Sequence, residues 1–328
     1  MIAKNKLIQI PDIEYHNKND GCVNSTLLKN LYSSSSRSAV NHTLDTKGSK
    51  FGSMTHKFIL EPHEFYDEYV LRPEMYCGPI KILKEGTKST YEMSDYNGHE
   101  DWNMKKTYHR EAVKHLEIET GKKVAIQEEM FTLFDIQDRL EESQDYFTSD
   151  ENKKLGIRTG YMDEGKAEHA LYCDIDGITF KIKMDWLTNF NGKAYIVDLK
   201  SCISAHPNEV AKSICKYNYD LQGYFYKKVL TWYLRNVLKS NVEVKFVFLF
   251  AEKEGCHEIG FYSLTEEMEL NGQHKFNKAL EHYNLTIRQG KTYGYKAGYK
   301  TVTNLALPAW GIVYEKELAA PLTSRRVA

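Results

Sequence analysis

A chain of 328 residues with 41% apolar and 27% charged side chains can bury a large core, enough for one elaborated domain or two small ones. Lys and Arg number 44 against 45 Asp and Glu, so a formal net charge of -1 excludes whole-molecule attraction to nucleic acid and leaves any such contact to local basic surface. The six cysteines (Cys22, Cys77, Cys173, Cys202, Cys215 and Cys256) lack CxxC or CxxC…HxxxH spacing, which argues against zinc or an iron-sulphur cluster and reads as free cytosolic thiols.

Met1 to Pro11 carries no apolar leader core, and no run of about 18 apolar residues follows, so neither secretion nor membrane insertion is expected. Asn24-Ser25 before Thr26–Leu31 predicts a short capped helix, broken by Ser33–Ser36 and Arg37. A second helix is expected from about Gly48 to Leu60, stopping at Glu61-Pro62 because proline disfavours helical geometry in the residue before it. Residues 63–123 read as a decorated connection ending in a helix over Tyr108–Glu119. Residues 126–147 have helical periodicity and precede a polar segment running to Gly165.

The pattern then changes to period two. Ala170–Cys173 leads to the turn dipeptide Asp176-Gly177, Ile178–Phe190 leads to Asn191-Gly192, and Ala194–Ser201 follows, which predicts strands joined as hairpins. One long amphipathic stretch from about Asn208 to Leu238 comes next, then strands at Val242–Ala251 and near His257–Tyr262, and a helix over Thr265–Gln289. This order indicates an α/β core.

A two-residue turn at Asn191-Gly192 pairs Phe190 with Lys193 and, counting back, Asp185 with Asp198, with Lys200 on the same face. Directly opposed Cβ atoms lie about 4.5–5.5 Å apart, so the two carboxylates repel unless a cation sits between them. Hard oxygen ligands favour Mg²⁺, or Mn²⁺ in its place, over zinc. Lys200 would orient or deprotonate a water, or neutralise charge developing on a phosphate. An isolated D-x-K is in most cases an exposed strand pair, but apolar Ile196 and Val197 point to a buried strand on which a carboxylate needs a partner or a metal.

The run GITFKIKMDWLTNFNGKAYIVDLKSC resembles the core of the PD-(D/E)XK nucleases, in particular the exonuclease VIII (RecE-type) family of phage and prophage recombination enzymes. Three further segments carry the resemblance: Gly52 to Pro62 (G-x-x-x-H-x-x-x-L-E-P, with His56), Gln222 to Tyr226 (Q-x-x-x-Y) and Phe246-Val247-Phe248-Leu249. It extends from about residue 15 to Leu307-Pro308-Ala309-Trp310 and is weakest between 75 and 160. What it implies is an α/β restriction-endonuclease-like core, a central mixed β-sheet flanked by helices, in one domain over 1–328. A helical part of about 1–150 would hold His56, and a catalytic sheet with C-terminal helices would span about 165–315.

By the same resemblance, His56, Asp185 and Asp198 ligate metal, the Leu199 carbonyl completes the shell, Glu168 is a further ligand and Lys200 is the catalytic lysine. Glu164 is close enough in sequence to compete with Glu168 for that place. Gln222 and Tyr226 share a helical face and would contact DNA phosphate or orient Lys200, or else simply pair with each other. Ser25, at a helix start with Lys29 and Arg37 nearby, reads either as an N-cap or as a site for the 5′-phosphate of a DNA end. Lys291–Lys300 interleaves cations, aromatics and glycines, as suits DNA tracking or a plain connection.

The implied activity is Mg²⁺-dependent 5′–3′ exonuclease action on linear double-stranded DNA ends, leaving 3′ overhangs for annealing-type recombination. A homo-oligomeric ring, a RecT-like single-strand annealing protein and a cytoplasmic setting in a bacterial host, encoded by phage or prophage, go with it. The alternatives are another PD-(D/E)XK nuclease, whether endonuclease or RecB-like, and a non-catalytic DNA-end-binding assembly protein.

Overall fold

The computed structural model describes residues 4–10, 12–16, 20–41, 49–83, 91–146, 165–190 and 192–294. Asn191, the segment preceding Gly165, Tyr295–Lys300 and Leu307–Trp310 therefore lie outside the described residues. In chain order the elements are β1 (Leu7–Gln9), α1 (Asp12–Tyr15), α2 (Ser25–Ser33), α3 (Ser36–Asn41), α4 (Ser49–Leu60) and α5 (Pro62–Glu68). Then come β2 (Tyr69–Leu71), β3 (Tyr76–Leu83), β4 (Tyr91–Glu100), α6 (Thr107–Thr120), β5 (Lys123–Ala125) and α7 (Gln127–Tyr146). The second half holds β6 (Gly165–Ile175), β7 (Ile178–Phe190), β8 (Lys193–Cys202), α8 (Pro207–Tyr217), α9 (Tyr219–Asn236), β9 (Glu243–Glu252), β10 (Ile259–Ser263) and α10 (Glu266–Leu285).

Local chemistry explains most boundaries. Asn24 caps α2 by accepting the Leu27 N–H at 2.8 Å. Helix α4 ends before Glu61, and Pro62 then opens α5 at a position where a missing N–H costs nothing. Asp176 and Gly177 both take positive φ, 52° and 73°, the geometry a two-residue hairpin turn demands.

The main sheet has the order β1-β6-β7-β8-β9-β10, antiparallel throughout except for the parallel β8–β9 pair. It is therefore mixed. One side packs against α2, α9 and α10 through residues such as Leu28, Ile182, Ile196, Phe225, Phe248 and Phe276. The other packs against α4, α5 and α7 through Met54, Phe65, Leu133, Trp186, Val197 and Leu249. Covered on both faces, β9 is apolar without interruption from Phe246 to Ala251, as a buried parallel-paired strand has to be.

Two expectations change. The stretch expected as one long amphipathic element is two helices, because Asn218 takes a left-handed φ of 51° and its side chain donates to Ser33 Oγ at 2.9 Å. The decorated connection contains a separate ribbon, β3–β4, whose register shifts between Pro79 and Lys81. Its β4 sequence, YEMSDYNGHE, lacks the alternating apolar face by which a strand is recognised.

Where α9 meets α10, Gly272 lies so close to α9 that an added Cβ would stand 2.3 Å from the Asp220 carbonyl oxygen. The same contact is locked by the buried Lys275–Asp220 ion pair at 2.8 Å. Gly272→Ala is expected to destabilise the protein by about 1–3 kcal/mol, read as a lowered urea midpoint with unchanged slope.

Candidate metal and active site

The site forms where three neighbouring strands interrupt their pairing. Between β7 and β8 the expected register holds from Phe190↔Lys193 to Trp186↔Val197, and the ladder ends one pair short of Asp185 and Asp198. There the Leu199 N–H turns to the Asp185 carboxylate, 2.8 Å from Oδ2. Between β6 and β7 the ladder likewise passes from Ala167↔Trp186 to His169↔Met184 without linking Glu168 to Asp185. Glu168 has φ 53°, a left-handed conformation that costs a residue with a side chain and recurs at functional sites.

The side-chain alternation slips at this point. Met184 packs in the α9 and α10 core, whereas Trp186 packs in the α4 and α7 core. Asp185 thus sits at a change of face rather than on one continuous face with Asp198, which corrects the simple hairpin picture.

Helix α4 delivers His56 onto this break. Its Nδ1 lies 3.6 Å from Glu168 Oε1 and 3.7 Å from Asp185 Oδ2, and its Nε2 donates to the Leu199 carbonyl at 2.8 Å. The facing ligand atoms of His56, Glu168 and Asp185 all lie within 4.8 Å of one another. Burial opposes a charge on His56, but the Asp185 charge and the hydrogen bond and charge of Glu168 outweigh it and raise the imidazole to about 9. Burial pushes the Asp185 carboxyl upward against the pull of His56. Burial pushes Glu168 upward too, but His56 and Lys183 overcome it and hold the group low. The Lys183 ammonium lies 2.6 Å from Glu168 Oε2.

Asp198 stands outside this triad. It is 1% exposed; its Oδ1 accepts from Gln222 Nε2 at 2.7 Å, and its Oδ2 lies 2.6 Å from Lys200 Nζ. Beyond the Lys200 ammonium, this buried Oδ2 has no hydrogen-bond donor among the described residues. Burial would lower the Lys200 pKa, but the Asp198 and Asp185 charges reverse this and raise it, keeping the group an ammonium. Gln222 is held in turn by Lys29, whose Nζ donates to Oε1 at 3.0 Å. The rings and cations meet at Tyr219, whose centroid is 5.3 Å from Lys29 Nζ and 5.4 Å from Lys200 Nζ.

The remaining expected residues are placed as follows. Ser25 is the first residue of α2 and buried, the capping role being Asn24's, and its hydroxyl meets Tyr226. Tyr226 is buried one helical turn after Gln222, and burial, then the Asp198 and Asp185 charges, raise its pKa. Arg37 is exposed, and its backbone N–H bonds the Tyr293 carbonyl at 2.9 Å. Leu199 presents its carbonyl to His56, as an orienting partner. Sequence reading missed Lys183 and Tyr219. It had a sharper signal for Glu168 than the one used: counting back from the Asp176-Gly177 turn, as from the later one, sets Glu168 opposite Asp185 and leaves Glu164 out.

The donor set fits a divalent cation. One imidazole and two carboxylates converge, the imidazole is oriented by a carbonyl, and a neighbouring buried carboxylate has an oxygen faced by Lys200 alone among the described donors.

A mixed sheet flanked by helices, presenting Glu168, Asp185 and Asp198-Leu199-Lys200 on adjacent strands, is a PD-(D/E)XK restriction-endonuclease-like core. The chain belongs to the family described as PDDEXK-like domain of unknown function (DUF3799), whose model matches residues 32–299. Among solved structures it is similar to a protein of Eubacterium rectale described as a "Putative exonuclease". The identity is 14%, with TM-score 0.50 over 93% of this chain and 100% of that one, a likeness of fold. SSO0001 aligns at 12% identity with TM-score 0.24 over 46% of this chain and 74% of its own, which carries no argument. No curated protein matches. Among the described residues no helix is long and apolar enough to cross a membrane.

Proposed function

We propose that the protein is a Mg²⁺-dependent 5′–3′ exonuclease of linear double-stranded DNA ends, producing 3′ overhangs for annealing-type recombination. The observation that carries the nuclease reading is the convergence of His56, Glu168 and Asp185 beside the Asp198–Lys200 pair. End specificity and polarity rest on the sequence resemblance to the exonuclease VIII family; the Eubacterium rectale protein of similar fold is itself described as a "Putative exonuclease". A homo-oligomeric ring, a RecT-like annealing partner, and a phage or prophage origin in a bacterial cytoplasm belong to the same proposal.

In this reading His56, Glu168 and Asp185 would hold a divalent ion, with Asp198 Oδ2 available beside them. The chemistry such an ion would supply when bound is stabilisation of charge on phosphate oxygens and a lowered pKa for water. Lys200, kept as an ammonium, stabilises the negative charge that develops on the phosphate instead of accepting a proton. Gln222 holds Asp198 still while this happens. Glu168 keeps Lys183 close, adding a second fixed positive charge at the rim of the triad.

The test is incubation of pure protein with 5′- or 3′-end-labelled linear duplex and with closed circular duplex, in Mg²⁺ or EDTA. The expected result is Mg²⁺-dependent release of mononucleotides from the 5′ end with circles left intact. Nicked or linearised circles would assign an endonuclease instead, and end binding without cleavage in Mg²⁺ would assign a non-catalytic end-binding protein.

A further inference from the structure

Lys29 reads from sequence as a phosphate-binding cation, yet its amino group points into the protein. It donates to Gln222 Oε1 at 3.0 Å and sits over the Tyr219 ring. Gln222 and Asp198 are both buried, and the amide bridges the two charged groups, oxygen toward the ammonium and nitrogen toward the carboxylate. An ammonium has only donors and a carboxylate only acceptors, so this is the one orientation of the amide that satisfies both. Each hydrogen bond polarises the next, so the Lys29 charge strengthens the grip of Gln222 on Asp198 Oδ1. With Oδ1 taken, Oδ2 is the oxygen left for the reaction centre and Lys200.

We infer that Lys29 is a positioning residue, acting through Gln222 to fix the Asp198 carboxylate, and that it does not grip DNA phosphate. This deepens the nuclease reading and rests on it. Burial, then the charge of Lys200, draws the Lys29 pKa down to about 8, consistent with an amino group enclosed beside the site.

The experiment compares wild type, Lys29→Met, Lys29→Arg, Gln222→Leu and the Lys29→Met/Gln222→Leu double variant. DNA-end affinity is measured against salt in Ca²⁺ buffer, and single-turnover cleavage at saturating protein in Mg²⁺. The ¹⁵N–¹H signal of the Gln222 side-chain amide, assigned by its loss in Gln222→Leu, is followed as well. Lys29→Met is expected to slow cleavage about tenfold, as loss of an orienting partner does. The salt slope should stay unchanged, the Gln222 amide signal should move, and the double variant should be no slower than Gln222→Leu. Lys29→Arg, which keeps charge and donors, is expected to regain rate.

A salt slope reduced by about one in Lys29→Met, with full cleavage rate once DNA is bound, would overturn the inference in favour of a phosphate contact. An unmoved Gln222 amide signal would overturn it as well. Should wild type fail to cleave at all, the nuclease reading fails, while the amide signal still decides whether Lys29 holds Gln222.

Discussion

Replacing Lys200 by alanine is expected to slow single-turnover cleavage about 10²–10³-fold while DNA-end affinity in Ca²⁺ stays at the wild-type level. The size of the effect follows from where the charge sits. Lys200 Nζ lies 2.6 Å from Asp198 Oδ2 with only 19% of its side chain exposed, and neighbouring carboxylates keep it protonated. A fixed ammonium in a poorly solvated site stabilises charge that develops late in the reaction far more than it stabilises bound substrate. The same removal takes the ammonium partner from the buried Asp198 carboxylate and leaves it with the neutral Gln222 amide on Oδ1, so stability in EDTA should fall by about 3–5 kcal/mol. Both readings come from one variant: the melting temperature in EDTA, and the cleavage rate in Mg²⁺ at a temperature where the variant is folded. Cleavage at the wild-type rate would remove Lys200 from the mechanism.

Divalent-ion affinity is expected to rise about tenfold per pH unit from roughly pH 6.5 to 9 and to level off above that, because one bound proton has to leave for each ion that binds. The proton is that of His56, whose pKa is raised to about 9 by Asp185 and Glu168, well above the ordinary histidine range. Below about pH 9 the imidazolium occupies the triad, and above it the ring is free to ligate. Asp185, raised by burial, adds a second displaced proton at the acid end of the range and steepens the dependence there.

The linked effect on metal-free stability has a definite sign. A histidine raised above its unfolded value contributes stability that is complete below about pH 6.5 and is lost as pH rises through about 9. Asp185, also raised, acts in the same direction: its contribution is lost as pH rises from the ordinary carboxylate range to its raised value. The melting temperature in EDTA should therefore fall with rising pH, and saturating Mg²⁺ should remove that fall at the alkaline end. Mn²⁺ titrations followed by electron paramagnetic resonance across this range check the affinity, and His56→Ala should flatten the slope.

The strands were legible in the sequence because their turns have obligatory chemistry. Asp176-Gly177 and Asn191-Gly192 leave little choice of loop length, and the observed β6–β7 and β7–β8 registers follow directly. The α/β class followed from the order of helices and strands, and the restriction-endonuclease-like core from the family resemblance. The fine structure of the site did not, because a regular register cannot foresee where a strand abandons its ladder. The left-handed Glu168, the change of face at Asp185 and the Leu199 N–H bonded to the Asp185 carboxylate are local departures stabilised by tertiary contacts.

Lys29 shows a different limit. Its position on α2 is visible in sequence, but whether its amine turns outward to solvent or inward to Gln222 depends on how α2 packs beside α9, a contact 193 positions away. The β3–β4 ribbon escaped notice for a third reason, the polar character of β4. A strand outside the main sheet has no large core to imprint a pattern upon it.

The central claim is that His56, Glu168 and Asp185 form a divalent-ion site at the interruption of β6, β7 and β8, beside the Asp198–Lys200 pair. Its most direct test is an anomalous difference map from crystals of the full chain soaked in Mn²⁺. The account predicts a peak enclosed by these three side chains, lost in Asp185→Asn. A well-occupied peak elsewhere with this triad empty, or a triad peak undiminished in Asp185→Asn, would contradict it.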